Sequence, residues 1–81
     1  MGRNNLDFFH GTDHTFMPGD IVEPRSYAGV AYAATNRDVA AGYGKNVYKV
    51  EPIGEVQRQA GAAKEFGIHH AKEGFRVIGH G

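Results

Sequence analysis

At 81 residues the chain is read as one domain, 1–81, which buries only roughly 60% of its unfolded surface. Nine basic and nine acidic side chains cancel, and no basic run is interleaved with aromatics, so nucleic acid is not indicated as a partner. The absence of cysteine excludes disulfides, thiolate nucleophiles and cysteine-held metal; no apolar run is long enough for a signal peptide or a bilayer span, so a cytoplasmic protein with no membrane partner is expected.

Phe8-Phe9-His10-Gly11-Thr12 reads as a strand ending in polar groups, because two bulky aromatics favour extended backbone and turn-prone residues follow. Gly11 stands where a side chain is expected, which permits either a left-handed backbone or close approach of a ligand. Pro18-Gly19 carries turn chemistry, Ile21-Val22 forms a brief strand stopped by Pro24, and residues 25–29 form a loop whose Tyr27 is placed to cover something. Val30-Ala31-Tyr32-Ala33-Ala34 is a short strand. Thr35 or Asn36 then caps a helix of about two turns containing Val39, Ala40, Ala41 and Tyr43, which Gly42 and Gly44 end early. Asn46-Val47-Tyr48-Lys49-Val50 has strong strand character, residues 55–58 resume an edge strand, and residues 59–66 form a loop with one helical turn. Phe75-Arg76-Val77-Ile78 closes the sheet, with His69-His70 on a solvated loop and His80 on a loose terminus.

Among chemistries, zinc is disfavoured because His10 and His14 match no established ligand spacing, and no metal is expected. Ser26, the sole serine, lacks a nucleophile-elbow setting, and Gly42-Tyr43-Gly44-Lys45 is too short for a phosphate loop. Two readings stay open: a pocket in which His10 and the amides near Gly11 hold a polar ligand while Tyr32 and Tyr43 clasp a planar ring such as a nucleotide or nicotinamide, or a plain core strand with a hydrogen-bonded His10 and with both tyrosines as core or rim residues packed on each other.

Phe8-Phe9-His10-Gly11-Thr12, the Tyr32 strand, Ala40-Ala41-Gly42-Tyr43 and Val47-Tyr48-Lys49-Val50-Glu51-Pro52-Ile53-Gly54, followed by Glu73-Gly74-Phe75-Arg76-Val77-Ile78-Gly79, together resemble the small rifampin-modifying ADP-ribosyltransferases over nearly the whole chain. The resemblance implies an α+β fold, with a split, curved β-sheet and short helices enclosing NAD as co-substrate. It implies His10 on the NAD ribose, Gly11 backbone on the nicotinamide amide, Tyr32 beside the nicotinamide ring, and Thr12 and Tyr43 as pocket walls. The family's catalytic aspartate is missing: Gln59 stands closest to its place, and Glu55 is the candidate substitute acid, with Glu65 and Glu73 behind it. The function implied is NAD-dependent ADP-ribosyl transfer to an unidentified acceptor. The alternative is a catalytically inactive module that binds a protein or nucleotide. A homodimer is compatible with the short length.

Overall fold

The computed structural model describes residues 7–25, 28–61 and 64–81; Ser26 and Tyr27, and with them the covering role expected of Tyr27, lie outside the described residues. Seven strands form one sheet: β1 (Phe8–Thr12), β2 (Ile21–Val22), β3 (Ala31–Ala34), β4 (Asn46–Pro52), β5 (Val56–Arg58), β6 (Ile68–Ala71) and β7 (Phe75–His80). Their order is β2-β7-β4-β1-β3-β6-β5, and every pairing is antiparallel. A single α-helix, α1 (Arg37–Ala41), and one 3-10 turn (Lys64–Phe66) complete the described elements. No helix among the described residues is long and apolar enough to cross a membrane.

The expectation of an α+β fold with a split, curved sheet and short helices is therefore corrected: the described residues form a seven-stranded antiparallel sheet with one five-residue helix. The physical reason lies in two places. Asn36 caps α1 by accepting bonds from the Asp38 and Val39 amides, but Gly42 closes the helix immediately after Ala41, leaving Tyr43 outside it. His69 and His70, expected on a loop, lie within β6, which pairs with both β3 and β5 and so adds two strands to the far side of the sheet. His80 likewise belongs to β7 rather than a loose end, and its ring stacks on Tyr48 at 5.6 Å.

The core follows the two-residue alternation of the strands. Phe8, Ala31, Ala33, Tyr48, Val50, Ala71, Phe75 and Val77 are buried together, with Val22 from β2 and the half-buried Phe16 and Val56 packed against them. Phe8 meets Phe75 at 5.9 Å and the His69 ring edge-on at 5.0 Å. Helix α1 packs against β1, β3 and β4. It comes so close that a Cβ on Gly11 would sit 1.7 Å from the Ala40 carbonyl oxygen. Gly11 has no positive φ, so close approach of the helix, not a left-handed backbone, is what requires glycine there.

Candidate functional site

The pairing between β1 and β3 consists of one register pair, Phe9↔Ala34, although β1 pairs with β4 along its whole length. The next rung, which would match Gly11 with Tyr32, is absent from the ladder. Backbone directions around it follow from β4: the Val47 carbonyl accepts from the Gly81 amide at 2.9 Å on the β7 side, so the Gly11↔Val47 pair is the non-hydrogen-bonded kind. The amide and carbonyl of Gly11 are then directed toward β3, where the ladder has ended.

His10 links the two strands at this point. Its Nδ1 lies 2.9 Å from the Tyr32 carbonyl oxygen, which can only accept, so Nδ1 carries the proton and Nε2 is the acceptor the neutral ring offers a ligand. Burial pushes the His10 pKa below its ordinary value, opposed by the bond donated to Tyr32. The ring is thus biased toward the neutral form in which Nε2 keeps its lone pair.

A cavity of about 1040 Å³ opens beside this junction, just above the range of about 300–1,000 Å³ common for small-molecule sites. His10, Gly11, Thr12, Tyr32 and Tyr43 all lie on its wall, together with Gln59, whereas Glu55 does not. Glu55 is exposed on the turn between β4 and β5, directly after Gly54, whose φ of 71° turns the chain there. Glu65 and Glu73 are also off the wall. Tyr43 is 68% exposed and forms a rim, while Tyr32 is half-buried.

One wall was not anticipated from the sequence. The chain after β1 folds back so that the Phe16 amide donates to the Tyr48 hydroxyl at 2.9 Å and the Lys45 amide donates to the Asp13 carboxylate at 3.0 Å. This places the Phe16 ring 6.3 Å from that of His10 and on the cavity wall. Thr12 is partly committed to the same turn, since its hydroxyl oxygen accepts from the His14 amide at 3.0 Å. Glu23 and Arg25 also line the cavity, as the one acid and the one Lys or Arg on the wall among the described residues. The signal that could have found Phe16 is its spacing from the strand, but its partner Tyr48 lies 32 residues away. Among the described residues no three His, Asp or Glu side chains converge as a metal site.

Comparison with protein-family models, with curated proteins and with solved structures gives no match. No relative therefore speaks for or against the kinship with rifampin-modifying ADP-ribosyltransferases expected from the motifs; what is corrected is the rifampin-ADP-ribosyltransferase-like fold it implied, since the described residues form a single antiparallel sheet with one short helix.

Proposed function

We propose that the cavity beside His10 binds a dinucleotide of the NAD type, and that the chain acts as a binding module rather than an efficient transferase. The observation that carries this reading is the interrupted β1–β3 ladder, where the Gly11 backbone and His10 face a cavity instead of a neighbouring strand. A carboxamide offers one donor pair and one acceptor, complementary to the amide and carbonyl of Gly11. A ribose hydroxyl can donate to His10 Nε2, and Tyr32 and Tyr43 supply aromatic surface for a planar ring.

Binding is favoured over ADP-ribosyl transfer because of the acid. Cleavage of the glycosidic bond develops cationic character on the ribose, which a carboxylate stabilises far better than the neutral Gln59 on the wall; the one acid on the wall among the described residues, Glu23, has its Oε1 already engaged by Arg25 at 2.8 and 2.9 Å. Glu55, the candidate substitute, stands exposed away from the cavity.

Titration with NAD, followed through backbone amide and aromatic resonances, tests the reading. Responses at His10, Gly11, Tyr32 and Tyr43 are expected, and His10→Ala or Tyr32→Ala should each weaken binding by about 1 to 3 kcal/mol. No response at millimolar NAD would refute the site. Nicotinamide release is expected to stay at background; release abolished by Glu55→Gln would establish the transferase instead.

A further inference from the structure

We propose that Arg25 is an anion site on the cavity wall that takes the diphosphate of the nucleotide, and that Glu23 holds its guanidinium until the ligand displaces it. The inference rests on the NAD-type reading of the cavity and supplies the part of the ligand that the other walls do not address. Besides apolar and aromatic side chains those walls carry the imidazoles of His10 and His14, the Thr12 hydroxyl, the Gln59 amide and the Glu23 carboxylate, and Arg25 is the one Lys or Arg on them among the described residues. A doubly charged diphosphate that leaves water needs donors to replace its hydration, and a guanidinium supplies several of them together with the opposite charge.

Local structure presents this pair to the cavity. Strand β2 ends at Val22, and the Arg25 amide donates to the Glu23 carbonyl at 2.8 Å. That bond closes a three-residue turn around Pro24, whose ring fixes its φ. The side chains of Glu23 and Arg25 therefore leave one tight turn together. Arg25 Nη2 and Nε lie 2.8 and 2.9 Å from Glu23, and both contacts end on the same oxygen, Oε1. This is not the two-to-two fork in which arginine and carboxylate satisfy each other. Of the five guanidinium donors, those not aimed at Oε1 remain able to meet further oxygens.

The side chains are 81% and 54% exposed, so water already competes for the pair and exchange for a multiply charged anion is open. Glu23 orients the guanidinium in the free protein and disfavours weak monoanions, which must displace a carboxylate to bind. The pair Arg76–Glu51, 3.0 Å apart and 55% and 48% exposed, bridges β7 and β4 away from the cavity. It is an internal standard for an ordinary surface ion pair.

The test follows the arginine Nε–H resonances during titration with inorganic pyrophosphate, and then measures NAD affinity for the wild type, Arg25→Gln and Glu23→Gln. Pyrophosphate is expected to move Arg25 while leaving Arg76 unchanged. Arg25→Gln should weaken NAD by about ten- to a hundredfold, as loss of a charged hydrogen-bonding partner implies, and Glu23→Gln should strengthen it by removing the competitor. Equal responses of Arg25 and Arg76 to pyrophosphate, or unchanged NAD affinity in a folded Arg25→Gln protein, would overturn the anion site. Selective movement of Arg25 by pyrophosphate in a protein that does not bind NAD would leave the anion site standing and refute the dinucleotide reading instead.

Discussion

Replacing Gly11 by alanine isolates the contact between α1 and the sheet. The added Cβ would lie 1.7 Å from the Ala40 carbonyl oxygen, 2.6 Å from its carbon and 3.4 Å from Tyr43 Cβ. Two of these distances are impossible, and both are to backbone, so no rotamer change relieves them. Helix α1 must lift by more than an ångström. Its five residues are too few to persist without packing, Ala40 is 1% exposed, and the Ala40 carbonyl is the acceptor for the Tyr43 amide at 3.0 Å. Displacement therefore costs the burial of α1 and the placement of Tyr43 together. Overpacking costs about 1–3 kcal/mol, and a clash with backbone belongs at the upper end. For a domain of this size, about 3 kcal/mol lowers Tm by roughly 12–24 °C. Thermal unfolding followed by circular dichroism measures it, with Gly79→Ala as the control, since nothing lies within 4 Å of a Cβ there and the expected change is within about 0.5 kcal/mol. A Gly11→Ala protein that melts with the wild type would refute the packing argument and return the glycine to a role in ligand approach.

The pH dependence of stability follows from His10. Its folded pKa is lowered by burial, so below the ordinary value near 6.5 the unfolded chain binds a proton that the native state resists, and stability falls as pH drops from there toward the folded pKa; in chemical denaturation at stepped pH, His10→Gln should flatten that part of the profile, and an unchanged slope would contradict the assignment. Tyr48→Phe keeps the ring contacts with Phe16 and His80 but removes the hydroxyl that accepts the Phe16 amide. It should cost about 1–3 kcal/mol and raise amide exchange at Phe16, and unchanged exchange there would show that this bond does not hold the loop.

Several elements were legible because their signals are local. Strand β1 has the bounds that its aromatic run predicts, and β2 is as brief as Pro24 requires. Asn36 caps α1 as its side-chain chemistry allows, although Tyr43 falls outside the helix because Gly42 stops it. β4 runs on to Pro52, because β7 offers partners to Glu51 and Pro52 that a turn reading of Pro52 and Gly54 does not anticipate. Strand β6 was illegible for a related reason. Two histidines and a flanking glycine carry little strand propensity, and the order of Ile68–Ala71 comes from β3 on one side and β5 on the other. Tertiary pairing overrides a weak local preference there.

The site divides along the same line. His10, Tyr32 and Tyr43 stand out in sequence as residue types suited to a ligand, and they border one cavity. What makes that cavity is a register, and register between strands 22 residues apart is not written in either strand. Phe9 pairs with Ala34, the rung after it is missing, and the His10 side chain bonds to the Tyr32 carbonyl where backbone pairing has stopped. A histidine in that position does two things that a residue with only one ring nitrogen cannot. Through Nδ1 it holds the diverging strands at a fixed separation, and through Nε2 it presents an acceptor to whatever occupies the space between them. The same exclusion of water that lowers its pKa keeps that acceptor available at neutral pH. Fold and site are therefore coupled through one imidazole: protonating it removes the acceptor from the ligand and places an uncompensated charge at the seam of the sheet.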